Sequence, residues 1–260
     1  MGIKNLSILL ALPALIAASA GLVVFLDGCS SNSVSESSSA ELAFNSAVEF
    51  ENDERYEEAL AKFNEVKNKH PYSKYAIESE LHIADIQYKR ESFIEAQTAY
   101  QLFKDFHPKN IKADYVTYRL AMSLYMQLPA TPDRDLAPTT KAIQYFTEVI
   151  NAYPTSQYVK DSEDKKLACL KMLAEKEAYI GNYYYIRNKF EPAQRRYEQL
   201  LVKYPNLGLD EIALYRAGIS AFQQGDKIEG RRHMENLLSK FPNGDYAGDA
   251  KNALEKYAHN

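Results

Sequence analysis

Few residues in this chain of 260 carry chemistry of their own. Thiol, metal or acid–base work would have to start from Cys29 and Cys169, five histidines, or the acidic run "ENDERYEE" from Glu51 to Glu58. His70, His82, His107, His233 and His259 show no metal-ligand spacing, and His70 and His107 simply precede prolines. No phosphate-cradling glycine loop is present. The acidic run reads as a turn followed by a charged first helical turn. Two cysteines make no disulfide framework, and Cys169, within "KKLACLKML", reads as a small buried hydrophobe. Catalysis is therefore not expected, and neither a metal site nor a cofactor is.

What remains suits recognition. Arg196 follows Arg195 in "EPAQRRYEQ", and an arginine fork can pair bidentately with a carboxylate. The competing reading is an intrahelical pair with Glu191 or Glu198. Asp133, Arg134 and Asp135 form a charged triplet inside the Pro-rich stretch "QLPATPDRDLAP". In "DYVTYR", Asp114 and Arg119 would offer polar groups to a groove while Tyr115 and Tyr118 pack. Tyr72 and Tyr75, in "HPYSKYA", either hold an aromatic ligand group or pack between repeats. Twenty tyrosines and no tryptophan fit this picture, because a phenol combines apolar area with a polar tip.

The elements that must position these residues emerge from the composition. With 46% hydrophobic and 25% charged residues the chain can bury one or two sizeable cores. A net charge of −4 provides no basic face for nucleic acid.

At the N-terminus, Lys4 precedes an apolar run from Leu6 to Leu26. Pro13 and the small-residue patch from Ala17 to Gly21 argue against a spanning helix and for a signal peptide. The run ends in Leu26-Asp27-Gly28-Cys29, which resembles the bacterial lipobox, with Asp27 departing from the usual small uncharged residue. That resemblance implies cleavage after Gly28 and a covalent lipid on Cys29. Acyl chains contribute about 0.8 kcal/mol per buried CH₂, enough for a stable anchor. Ser30 at the next position resembles an outer-membrane sorting signal. The tract "SSNSVSESSSA" to Ala40 cannot bury apolar area and is expected to be a flexible tether.

The rest of the chain repeats. The blocks Tyr56–Pro71, Phe93–Pro108, Thr139–Pro154, Phe190–Pro205 and Lys227–Pro242 have equal length. Each carries a small residue (Ala59, Ala96, Ala142, Ala193, Gly230), then a large one four positions on (Phe63, Tyr100, Phe146, Tyr197, Met234). Another apolar residue follows after three more: Val66, Phe103, Val149, Leu200, Leu237. Steps of four and three lie along one helix face, and the closing proline stops the helix. A second small series, Ala47, Ala84, Ala121, Gly181 and Gly218, marks the close-contact points of upstream helices. Pairs of small residues with a neighbouring aromatic resemble the tetratricopeptide repeat, whose nominal period is about 34 residues. The expected fold is all-α, a superhelix of five helix pairs with a C-terminal capping helix after Pro242. Gln127 to Pro138 is expected as a loop, and the stretch before Gly181 as one extended helix opening repeat four.

Together with the lipobox, these repeats resemble the BamD family of lipoproteins. The stretches "HPKNIKADYVTYRLAMSLY", "DRD", "YPTSQYVKDSEDKKLACLKMLAEKE" and "YYYIRNKFEPAQRRYEQLL" carry the likeness. Tyr183, Tyr184, Arg187 and Arg196 fall on family positions, whereas Asn188-Lys189-Phe190 stands where the family often has Gly-Ala-Trp. The resemblance implies a lipid-anchored protein on the periplasmic face of the outer membrane. It implies N-terminal repeats that receive unfolded β-barrel proteins, with Tyr72, Tyr75, Asp114, Tyr115 and Arg119 as candidate contacts. It also implies C-terminal repeats that dock on the POTRA domains of BamA, beside other assembly lipoproteins. Arg196, Arg187 and the loop Asp133-Arg134-Asp135 are the candidates on that side. The implied organisation is signal peptide 1–28, lipidated Cys29 and tether 29–40, substrate-side repeats 41–154 and BamA-side repeats 155–260. The alternative is another tetratricopeptide envelope lipoprotein, such as a pilotin for a pilus secretin or a Tol-associated cell-wall coordinator.

Overall fold

The structure is a computed structural model that describes the backbone of residues 31–258 and the side chains of residues 38–257. The signal peptide, Cys29 and Ser30 lie outside the described residues. Among the described residues eleven helices follow one another in chain order: α1 (Ser31–Asn52), α2 (Tyr56–Lys69), α3 (Lys74–Lys89), α4 (Phe93–Phe106), α5 (Ala113–Tyr125), α6 (Ala137–Ala152), α7 (Val159–Tyr185), α8 (Phe190–Lys203), α9 (Asp210–Gln223), α10 (Lys227–Lys240) and α11 (Ala247–Ala258). Each packs on the next, so α1/α2 through α9/α10 are five helix pairs and α11 covers the last of them. Among the described residues no helix is long and apolar enough to cross a membrane.

The repeat positions form the cores. Ala59, Ala96, Ala142 and Ala193 are fully buried, as are Phe63, Tyr100, Phe146 and Met234, with Tyr197 almost so. The small residues upstream let the partner helix close in. A Cβ on Gly181 would stand 3.0 Å from the Tyr197 ring, and one on Gly218 would stand 2.7 Å from Met234 Cε. Each second helix ends two residues before the proline, and the five capping residues in between share one backbone conformation, with φ between −126° and −135°. Proline disfavours helical geometry in the residue before it, so His70, His107, Tyr153, Tyr204 and Phe241 leave the helix together.

The turn inside four of the five pairs is also the same. Glu54, Glu91 and Asn188 take φ of 59°, 59° and 56°, and Gly225 takes 84°. The next N–H reaches back five residues in each case: Arg55 to Phe50, Ser92 to Gln87, Lys189 to Tyr184, Asp226 to Ala221. This is the Schellman cap, built on a left-handed residue. At Asn188, where the family often has glycine, the short amide side chain tolerates that conformation.

The serine tract expected as a flexible tether carries the start of α1, which runs from Ser31. Ala40, Phe44 and Ala47 are buried against α2 and α3, and the helix they dock extends N-terminally through the serines. Pro138 belongs to the first turn of α6 and not to the preceding loop. Proline is well placed there, since the first helical N–H groups have no intrahelical acceptor. The extended opening helix of repeat four is present as α7, 27 residues long.

Candidate functional site

Among the described residues the first helices of neighbouring pairs touch one another in three cases (α1 with α3, α5 with α7, α7 with α9), and no contact of similar extent joins the second helices. The first helices therefore line the inner side of the curve, where solenoids bind extended ligands.

On that side α3, α5 and the start of α7 assemble a tyrosine-rich groove. Asp85 Oδ1 accepts the Tyr100 hydroxyl at 2.5 Å and the Tyr115 hydroxyl at 2.7 Å. The Arg119 guanidinium lies 3.7 Å from the Tyr88 ring centre and 5.7 Å from that of Tyr115. Tyr118 donates to Asp161 at 2.7 Å and stacks on Tyr158 with ring centres 4.6 Å apart. Asp114 accepts from Ser156 Oγ at 2.7 Å. A cavity of about 390 Å³ opens between Asp85, Ile111, Lys112, Asp114, Tyr115, Gln157 and Tyr158. Burial and the Asp85 charge push the Tyr115 phenol well above its ordinary range, and burial with Asp161 does the same to Tyr118. These phenols stay neutral and act as hydrogen-bond donors and stacking faces.

Asp114, Tyr115 and Arg119 are therefore brought together. Tyr72 and Tyr75 are not part of that groove. Tyr75 is 7% exposed and packs on Phe44 of the preceding pair, with ring centres 5.3 Å apart. Tyr72 is fully exposed on the α2–α3 turn. Sequence reasoning missed Asp85, Tyr88, Tyr158 and Asp161. A signal existed for Tyr88: the residue four places after the small one in α3, α5, α7 and α9 is Tyr88, Tyr125, Tyr185 or Phe222.

The second group of candidates surrounds α7. Arg196 Nη1 of α8 meets Glu177 Oε2 of α7 at 3.0 Å, and Glu177 is 16% exposed. The competing intrahelical pair with Glu191 or Glu198 is not made by Arg196. Glu191 pairs with Arg195, and Glu198 accepts from Gln194. One residue before Glu177, Lys176 Nζ donates to the Arg134 carbonyl at 3.1 Å and so ties the charged loop to α7. Asp135 accepts the Ala137 N–H at the entry to α6. The Thr131 hydroxyl holds the Asp133 carboxyl below its ordinary range. Arg187 lies 3.7 Å over the Tyr183 ring and donates to the Tyr183 carbonyl. Thus Asp133–Asp135 and Arg196 both rest on adjacent residues of one helix, and Arg187 belongs to the turn that follows it.

Stacked helix pairs with paired small residues and aromatics between them define a tetratricopeptide-repeat scaffold. Residues 212–244 match the tetratricopeptide repeat itself. The chain belongs to the YfiO family of outer membrane lipoproteins, whose sequence profile matches residues 36–225. This is a family of assembly factors and not of enzymes.

The chain is similar to outer membrane protein assembly factor BamD of Rickettsia prowazekii, at 28% identity over 91% of this chain and 94% of that protein. The BamD of Caulobacter vibrioides is 27% identical over 76% of this chain and 65% of its own length. The BamD of Neisseria gonorrhoeae is 24% identical over 74% and 76%. Among solved structures, the TPR2AB-domain:pHSP90 complex of yeast Sti1 aligns over 85% of this chain and 86% of that one, with a TM-score of 0.46 and 15% identity.

Proposed function

We propose that this protein is a lipid-anchored adaptor in outer membrane protein assembly. The reading places it on the periplasmic face of the outer membrane through acyl chains on Cys29. Its N-terminal groove takes extended segments of unfolded β-barrel proteins. Its C-terminal repeats hold the POTRA region of BamA, in company with the other assembly lipoproteins. The observation that carries the reading is likeness to BamD over 91% of this chain, with the family profile matching residues 36–225.

The groove supports the substrate side. Tyr88, Tyr115, Tyr118 and Tyr158 bring aromatic rings together with the opposite charges of Arg119 and Asp114, a mixture that suits the side chains of an extended peptide. Arg196 supports the partner side: it is 38% exposed, so part of its guanidinium faces outward while Nη1 holds Glu177.

Co-purification of the C-terminally tagged full-length chain from detergent-solubilised envelopes of its own host tests the proposal. Recovery of BamA is expected. Recovery of a pilus secretin or of Tol proteins in its place would overturn the function.

A further inference from the structure

A second cavity, of about 440 Å³, lies far along the chain from the groove, between α8 and α10. Three potential ligand atoms converge there. His233 Nε2 stands 3.0 Å from Glu198 Oε1 and 3.9 Å from Glu229 Oε2, and all three groups lie within 4.8 Å of one another. Glu229 and His233 are four residues apart on α10, which puts both on one helix face. Glu198 comes from α8.

We infer that Glu198, Glu229 and His233 form a binding site for a divalent transition-metal ion of the zinc type, which clamps repeat four to repeat five. Ligand bonds of about 2.0–2.2 Å in a tetrahedral shell place ligand atoms about 3.4 Å apart, between the two spacings found. One imidazole nitrogen and two carboxylate oxygens are a donor set for zinc and its neighbours and not for magnesium or calcium, which prefer oxygen alone. The fourth position opens into the cavity, with room for water.

The histidine is aimed at this point. Its side chain is 3% exposed, Nδ1 is buried with no hydrogen-bond partner, and every polar contact of the ring is made through Nε2. The site already attracts positive charge. The Arg232 guanidinium is hydrogen-bonded to Glu229 and stands 3.3 Å from His233 Nε2, where a cation would sit. Arg232 is 55% exposed and can swing into solvent when the ion enters. It acts as a built-in competitor.

The test is zinc binding to the detergent-solubilised full-length chain, with any affinity tag removed, followed by a chromophoric chelator competition and by thermal unfolding. One zinc per chain is expected at a Kd of about 10 µM or tighter. Glu198→Gln and Glu229→Gln should each weaken it by about tenfold or more, the scale expected for loss of one ligand. Arg232→Gln should strengthen it, an effect that a merely structural role of these residues does not produce. Both glutamine variants change residues about one-third exposed and keep the shape of the site, so folding is expected to be preserved. Zinc binding that survives both glutamine substitutions reports on other histidines and overturns the site. So does absence of zinc binding, or equal binding of magnesium.

Discussion

The guanidinium of Arg196 and the carboxylate of Glu177 meet at 3.0 Å across the α7–α8 packing, which joins the helix pair of repeat four by a charge pair at its surface. Exposed and half-exposed pairs of this kind contribute only about 0–1 kcal/mol to stability. The pair is therefore better placed to orient Arg196 than to hold the fold.

If the protein docks on BamA as proposed, Arg196→Glu should weaken that binding by about tenfold or more, since 1.4 kcal/mol corresponds to a factor of ten. Glu177→Gln, which leaves the arginine in place, should change affinity only a few-fold. Titration of both variants with the soluble POTRA region checks this. Equal losses in the two variants would mean that the pair matters only as a pair.

Asp85 holds two phenol donors on one carboxylate oxygen. Asp85→Ala leaves the buried Tyr100 hydroxyl without an acceptor, and the cost of such a group is about 1–3 kcal/mol. Tyr115→Phe removes one donor and leaves Asp85 with the other, so about 1 kcal/mol or less is expected. Urea unfolding followed by circular dichroism should rank the two in that order.

Glu91 occupies a left-handed turn position, with φ of 59°, that Gly225 fills in repeat five. The left-handed region costs a side-chain-bearing residue about 1–2 kcal/mol, offset in part by the chain entropy that glycine loses on folding. Glu91→Gly should raise stability by about 0.5–1 kcal/mol. A lower melting temperature would show that the Glu91 side chain makes a compensating contact.

Glu51 of α1 is 7% exposed and accepts from His82 Nδ1 at 2.6 Å and from Lys89 at 2.7 Å. Burial pushes its carboxyl up, but His82 and Lys89 outweigh burial and hold it below the ordinary 4.5. A carboxylate depressed in the folded state stabilises above the unfolded value and loses that contribution as pH falls through the folded one. Stability should therefore drop as pH is lowered below about 4.5, and Glu51→Gln should flatten that part of the profile while lowering stability at neutral pH. Chemical unfolding at pH 7, 4.5 and 3.5 gives the comparison.

Much of this molecule was legible in its residues because the information was local. Small, large and apolar residues at steps of four and three specify one helix face. A proline specifies where the helix ends, since it restricts the residue before it. Five copies of that pattern became α2, α4, α6, α8 and α10, and the small residues upstream became the contact points of their partners.

The site was legible only where its residues share a helix, as Asp114, Tyr115 and Arg119 do. Arg196 shows the limit. Glu191 lies five residues before it and Glu198 two after, and neither spacing brings side chains onto the same face, whereas Arg195 and Glu191 are one turn apart and do pair. Its real partner, Glu177, belongs to another helix. Tyr75 and Tyr72, neighbours in sequence, were separated into core and solvent by the docking of α1 through Phe44. The approach of Glu198 to His233 likewise depends on α8 and α10 flanking α9. Periodicity determines which face a helix buries. Which side chain of the next helix meets it depends on how the two pack, and that is decided only when the helices are stacked.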